Sequence, residues 1–399
     1  MSLKVGFIHP NLGLGGAERL VVNAALHLQE AGHKVTLFTN HLDRRHCFGE
    51  VRDGILRIQI HGGFLPTHLG QHLRSLCAIV RMSYLATVVA MRKERLDVIF
   101  FDLIPHVIPL LKLLSRAKIM FYCHFPMKLL EPYGRRWHHR YRIIINKMEE
   151  IGIGMADNVL VNSHFTEEAL RSAFPRLRSM PTEVVYPGID CERYAALDRI
   201  GSDRKKNVTI LSVNRYGHKK NLGLAIEALS ELRQLLSAKI FEGIQLLFVG
   251  GYDPRLRSNR KTLMRLKSSA RRLGLESQVE FGLSCSDEEL KLLIDRCRCV
   301  VYTPREEQFG IVPVEAMAAS RPVIAVNRGG PLETILHEQT GFLCNPTPKA
   351  FANALARVVT EPKTADRIGR AGRAHAIRNF SRSVFGKRLE ALVQACVNS

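Results

Sequence analysis

The sequence predicts an α/β fold built from two doubly wound, Rossmann-like halves. Short apolar runs alternate with segments of helical apolar spacing along most of the chain. The alternation breaks at a polar, charge-rich stretch, residues 198–207, and then starts over. A length of 399 residues also suits two cores of ordinary size better than one.

The elements follow in order. Residues 3–8 make a first strand, and HPNLGLGG a loop. In AERLVVNAALHLQEAG, Leu20, Val21, Ala24, Ala25 and Leu28 keep helical spacing up to Gly32. Residues 34–39 are the next strand, and the apolar runs 97–102, 118–123 and 157–162 read as buried parallel strands. After VVYPGID (184–190) and the polar stretch, strands are expected at 208–213, 244–251, 279–281, 299–303 and 322–326. A helix runs from Leu222 to about Leu236, with others between the later strands. Strand–helix–strand units imply right-handed crossovers. The expected division is 1–190, 191–375 and a helical segment 376–399 able to cross back to the first half. Ligands belong at the carboxyl ends of the strands, facing a central cleft.

Composition excludes several classes. At 46% hydrophobic and 24% charged residues, the chain is not disordered. A net charge of +21, spread over both halves, favours anionic partners: phosphorylated ligands, acidic membrane surfaces or nucleic acid. Nine cysteines without a C-x-x-C pair argue against a disulfide framework or zinc site and for a reducing compartment. The sequons at Asn207 and Asn379 read as chance matches, and the opening MSLKVGFIHP reads as a strand, not a secretory leader. The apolar stretch 76–91 is interrupted by Arg81 and falls short of the roughly 20 residues of a spanning helix. It is expected to be a buried helix or, alternatively, one lying against a bilayer between Arg74 and Arg92, Lys93 and Arg95. Two basic segments stand apart. RRWHHRYR (135–142) interleaves aromatics with bases, as a headgroup or nucleic-acid site would. Residues 255–272 read as a solvated helix or an anion-facing one.

Four places could carry chemistry. Gly13, Gly15 and Gly16 lie between the first strand and helix, where a helix N-terminus can meet an anion; the spacing fits neither G-x-G-x-x-G nor a P-loop, and a tight turn explains it equally well. Arg215 and Lys220 in NRYGHKKN follow a strand and precede a helix, so they can converge on one diphosphate. Bases at a helix start otherwise oppose its dipole. Glu307 and Glu315 flank Phe309, Gly310 and Ile311, whose backbone would sit at the mouth of a helix beginning near Val312. Carboxylates accept from sugar hydroxyls, Glu315 from a ribose; a charged helix cap is the plainer reading. His124 in FYCHFP ends a strand of the first half, either as a catalytic group or as a satisfied structural histidine. No D-x-D pair is present, so cations and helix dipoles would have to neutralise a leaving diphosphate.

Together, GGAER (15–19), the Arg215/Lys220 pair, the E-x₇-E of Glu307 to Glu315 and the Gly329-Gly330-Pro331 turn resemble the retaining GT-B glycosyltransferases of family-4 type over nearly the whole chain. More narrowly, FYCHFP, LVNSHFT, NRYGHKKN, EEQFGIVPVEAMA and VIAVNRGGPLETI are similar to the dolichol-pathway α-1,3/1,6-mannosyltransferases of N-glycan assembly. The resemblance implies GDP-mannose as donor and a dolichyl-diphosphate-linked Man-GlcNAc2 acceptor that receives α-1,3 and then α-1,6 mannose; with no D-x-D pair and two cations for the diphosphate, no cofactor or metal is expected. It places the protein at the cytosolic face of the endoplasmic reticulum membrane, on an anionic lipid surface, beside other lipid-linked-oligosaccharide enzymes and without nucleic acid. It gives Arg215 and Lys220 the diphosphate, Glu307 the mannose hydroxyls, Glu315 the ribose, and His124 the mannose or its developing positive centre. Gly15 and Gly16 close on the phosphate. The alternatives are a family-4 enzyme with another donor or acceptor and a basic nucleic-acid-binding protein; the latter has no recognised motif here.

Overall fold

The computed structural model describes residues 2–68, 74–130, 136–194 and 208–398, without the side chains of 136–139. The polar stretch 198–207, with Asn207, and Arg135 lie outside the described residues, as do the side chains of Arg136 and Trp137. The chain forms two compact units, Met1–Gly188 with Arg382–Ser399, and Ile189–Ser381.

In the first unit, β1 (Lys4–Asn11), β2 (Lys34–His41), β3 (Ile58–Ile60), β4 (Val98–Asp102), β5 (Lys118–Cys123), β6 (Asn158–Val161) and β7 (Thr182–Val184) make one sheet in the order β3-β2-β1-β4-β5-β6-β7. Every pairing is parallel. Its helices are α1 (Gly16–Glu30), α2 (Gly49–Arg52), α3 (Arg74–Ala90), α4 (Ile108–Leu114), α5 (Met127–Leu130), α6 (Arg136–Gly154) and α7 (His164–Ala173). Because both sheet faces are covered, consecutive strand residues enter different cores. Phe100 packs with Val21, Ala25 and Leu28 of α1, whereas Phe101 packs with Met82, Leu85 and Ala86 of α3.

The second unit repeats the plan with β8 (Val208–Val213), β9 (Ile244–Gly250), β10 (Val279–Leu283), β11 (Cys299–Tyr302), β12 (Val323–Val326) and β13 (Phe342–Cys344), in the parallel order β10-β9-β8-β11-β12-β13. Its helices are α8 (Gly223–Leu235), α9 (Ala238–Glu242), α10 (Arg257–Arg272), α11 (Asp287–Arg296), α12 (Ile311–Ala318), α13 (Pro331–Thr334), α14 (Pro348–Thr360) and α15 (Pro362–Phe380). A last helix, α16 (Arg382–Asn398), belongs to the first unit, where Phe385, Leu389 and Val393 join the core that α1 covers. Burying side chains of that size contributes about 1.5–3 kcal/mol each. The change of unit falls at Ser381, later than residue 376, because α15 runs unbroken to Phe380.

In each sheet the strand order reverses once, between β1 and β4 and between β8 and β11. In doubly wound sheets the crevice at such a reversal, beyond the strands' carboxyl ends, is where ligands bind. The stretch 76–91 lies mostly in α3, which buries Cys77, Ile79, Met82, Leu85, Ala86 and Val89 and leaves Leu76, Val80 and Tyr84 exposed along one row. No helix of the described residues is long and apolar enough to cross a membrane. All nine cysteines are free.

Candidate active site

At the reversal in the first sheet, three strand ends meet on one carboxylate. His9 lies near the end of β1, Asp102 is the last residue of β4, and His124 follows β5. Asp102 is fully buried; its Oδ1 lies 2.7 Å from His9 Nδ1 and its Oδ2 3.0 Å from His124 Nε2. Burial alone would raise the Asp102 pKa, but the two imidazoles hold it below the usual carboxylate value. Burial likewise pulls His9 down, yet Asp102, with help from Glu18, leaves it above the usual imidazole value. His124 alone of the three reaches the surface, with 21% of its side chain exposed. Its carbonyl accepts from Asn162 Nδ2 at 2.9 Å, which fixes the main chain, while Asp102 fixes the ring. Gly15 caps α1 in extended backbone, and Glu18 folds over it so closely that a Cβ on Gly15 would lie 2.3 Å from the carboxylate. The helix start at Gly15 and Gly16 therefore already has an acidic side chain against it. Arg19 of GGAER is turned away to Glu50 at 2.9 Å.

In the second unit the site residues leave β8 and β11. Lys220 Nζ donates to Glu307 Oε2 at 2.5 Å, and both side chains stay partly exposed, at 22% and 17%. Thr303 Oγ1 donates to the Lys220 carbonyl at 2.8 Å, tying the two loops together. Arg215 is exposed on the same loop as Lys220 and makes no ion pair among the described residues. Gly329 and Gly330 cradle the acidic segment. The Gly330 N–H donates to the Glu307 carbonyl at 2.8 Å, and a Cβ on Gly330 would lie 2.4 Å from Phe309 backbone. Gly329 also has φ +64, which glycine adopts without strain. The Phe309 side chain is core, edge-on to Phe380. Gly310, at φ 84, turns the chain into α12, which starts at Ile311, one residue before the expected start. Glu315 therefore falls in the second turn. Burial pushes its carboxyl up to about 7, with Arg193 pulling back and Asp287 adding to the rise.

Each edge thus offers different chemistry. The first presents a histidine ring oriented by a buried acid. The second presents a free guanidinium, a separable ammonium–carboxylate pair and a carboxyl poised near neutrality, a set suited to a diphosphate joined to hydroxyl-bearing rings. No group of three or more His, Cys, Asp or Glu side chains placed to hold a metal occurs among the described residues. His9 and Asp102 are not singled out by sequence reasoning. The available signal is a polar residue ending each of two buried apolar strands.

The sucrose-phosphate synthase of Thermosynechococcus elongatus superposes with a TM-score of 0.78 at 21% identity, covering 98% of both chains. HepE of Anabaena, in complex with UDP and glucose, gives 0.72 at 19% identity over 98% of this chain and 100% of its own. The family described as Glycosyltransferase Family 4 matches residues 14–193, and that described as Glycosyl transferases group 1 matches 196–375. The chain is a glycosyltransferase of GT-B fold, with a nucleotide-sugar donor and a glycan acceptor. Similar proteins named alpha-1,3/1,6-mannosyltransferase ALG2 include that of Homo sapiens, 42% identical over 97% of this chain and 94% of its own, and that of Rhizomucor pusillus, 38% identical over 98% and 91%. That of Saccharomyces cerevisiae is 34% identical over 98% and 85%. The chain belongs to the ALG2 family of alpha-1,3/1,6-mannosyltransferases.

Proposed function

We propose that the chain transfers mannose, with retention, from GDP-mannose to a dolichyl-diphosphate-linked Man-GlcNAc2 acceptor, forming the α-1,3 and then the α-1,6 linkage. The observation that carries this reading is the Lys220–Glu307 pair beside the free Arg215 at the carboxyl edge of the second sheet. Arriving diphosphate takes Lys220 from Glu307 and engages Arg215 as well. Glu307 is then free to accept from the mannose hydroxyls, while Glu315 accepts from the ribose. The main chain of Phe309–Ile311 leads into α12, whose N-terminal end favours an anion. The glycosidic C–O bond to the diphosphate breaks, and the acceptor hydroxyl attacks from the same face. Its proton passes to a leaving phosphate oxygen, so no protein base is required. Arg215 and Lys220 stabilise the charge that grows on the diphosphate, which lets transfer proceed without a divalent ion. His124 meets the mannose as its anomeric carbon becomes positive.

The acceptor's lipid requires the enzyme to work on a membrane surface, which we place at the cytosolic face of the endoplasmic reticulum. The first unit's exposed apolar residues support this: Ile144, Met148 and Ile151 on α6 and Met155 just after it, beside exposed Arg140 and Lys147, and Leu76, Val80 and Tyr84 on α3. Bases near an anionic surface each contribute about 1 kcal/mol. Arg142 takes no part. It is 5% exposed and turned to the Met127 carbonyl, although the basic run 135–142 suggests otherwise.

The test supplies the purified chain with GDP-mannose and a short-chain lipid-diphosphate acceptor in excess EDTA, with product linkages determined. Two successive mannosyl products, α-1,3 then α-1,6, are expected. Use of another nucleotide sugar in preference overturns the donor assignment. Activity restored by Mg²⁺ or Mn²⁺ alone overturns metal independence.

A further inference from the structure

We propose that Glu149 is a positioning residue for transfer, holding the loop that carries His124 through its main chain. The proposal rests on the reading of His124 as the imidazole that meets the sugar. Glu149 lies on α6 and is 1% exposed. Its Oε1 accepts from the Met127 N–H at 2.6 Å and its Oε2 from the Lys128 N–H at 3.0 Å. Arg142, two turns earlier on α6, donates to the Met127 carbonyl at 3.4 Å. Both polar groups of Met127 are therefore held by side chains of one helix. Only Phe125 and Pro126 separate this anchor from His124, whose ring and carbonyl are held by Asp102 and Asn162. The segment is thus fixed at both ends, and α6 supplies the fixing at the far end.

The same helix also backs the loop after Asp102. Gly152 lies so close that a Cβ there would stand 2.1 Å from the Pro105 carbonyl oxygen. The His106 Nε2–H donates to the Ile145 carbonyl at 3.0 Å, a neutral contact since burial keeps that ring's pKa near 4. One helix therefore backs both the loop that follows Asp102 and the segment that follows His124.

The groups around Glu149 are Arg142 of its own helix, Lys128 of α5 and Cys123 of β5. Burial pushes its carboxyl from 4.5 up to about 7, and the two N–H groups, Arg142 and Lys128 offset that only in part. The folded state then binds more protons than the unfolded state between those values. Stability from this group is full below 4.5 and falls as pH rises through about 7. A buried carboxylate that is unfavourable when ionised is a poor structural device. A Gln of the same shape removes that penalty but leaves one N–H facing an amide group instead of an acceptor. Activity and stability are thus expected to move in opposite directions.

The test compares wild type, Glu149→Gln and His124→Asn as full chains at pH 8. It reads kcat, donor KM and Tm, together with hydrogen exchange of the Met127 and Lys128 amides in the wild type at pH 6 and 8. Glu149→Gln should lower kcat about 10- to 100-fold, as a misplaced catalytic loop does. Donor KM should stay within about twofold, since the contacts of Arg215, Lys220, Glu307 and Glu315 are untouched and the His124 contact counts mainly as charge develops on the sugar. Tm should hold or rise, and the two wild-type amides, corrected for intrinsic rate, should be less protected at pH 6. Wild-type kcat in Glu149→Gln with an impaired His124→Asn overturns the proposal. So does a Tm that falls together with activity, which marks a structural role. If the variant does not fold, equal protection of the two amides at both pH values overturns it. A fully active His124→Asn removes the underlying reading of His124 instead.

Discussion

In the first unit, the site is one carboxylate, 0% exposed, shared by imidazoles from strands more than twenty residues away on either side of it. In the second, the charges sit on two loops, about a fifth exposed, with the glycine turn at 329–330 fitted beneath the acidic segment. The first arrangement satisfies its charge internally and offers the outside only a histidine edge. The second leaves its charges able to exchange partners. An orienting group is best enclosed, where low dielectric strengthens each hydrogen bond. A group that must bind and release a diphosphate cannot be, because its pairing has to be broken at little cost.

That contrast can be broken most sharply at Asp102. Asp102→Asn should lower unfolding free energy by about 3–5 kcal/mol, since it removes one partner of a buried pair, and should slow transfer as well. The gap from wild type should be fullest between pH 3.8 and 6.5. It should narrow in acid, as Asp102 titrates at its lowered value, and in alkali, as His9 loses its proton at its raised one. Urea melts across pH measure this; a gap independent of pH would dissolve the distinction between the units.

Lys220→Ala should do the reverse, costing kcat about 10²–10³-fold while Tm falls by only about 2–4 °C. Steady-state kinetics and calorimetry on one preparation decide it. A Tm collapse would make the second site as structural as the first.

Gly330→Ala should destabilise the second unit by about 1–3 kcal/mol, since its Cβ would stand 2.4 Å from the Phe309 backbone. Chemical denaturation with a probe in each unit would place the loss. Equal loss in both would show that the cradle is not local.

The smallest effect is expected at Glu315. Glu315→Gln should raise donor KM about tenfold with kcat held, as loss of uniform binding does. Since only the ionised carboxyl accepts from two hydroxyls and its pKa is about 7, GDP should bind wild type about tenfold tighter at pH 8 than at pH 6. Glu315→Gln should lose that part of the pH dependence, as calorimetric titration would read.

The two sites also differ in how far they are legible from the chain. Arg215, Lys220, Glu307 and Glu315 lie in short contiguous strings whose residue types state the chemistry. Even so, the Lys220–Glu307 contact spans 87 positions and needs the sheet to bring β8 beside β11. His124 is readable by its place after a strand, but its orienting acid is not, because Asp102 is an ordinary last residue of DVIFFD until β1, β4 and β5 are laid side by side. Glu149 is harder still, being one of two adjacent acids in an amphipathic helix. The central strands are plain because strands buried on both faces are apolar throughout. The edge strands β3, β7 and β13 have three residues each, too few for a pattern.

The placement of α16 has a consequence for how the protein comes into being. The first unit surrenders the chain at Gly188 and recovers it only at Arg382. During synthesis, the core that α1 shares with Phe385 and Leu389 must wait for those side chains until the whole second unit has been made. The second unit, uninterrupted from Ile189 to Ser381, can mature first. The nascent chain thus carries a finished domain behind an unfinished one, and the core left without Phe385, Leu389 and Val393 is the surface a chaperone would have to guard.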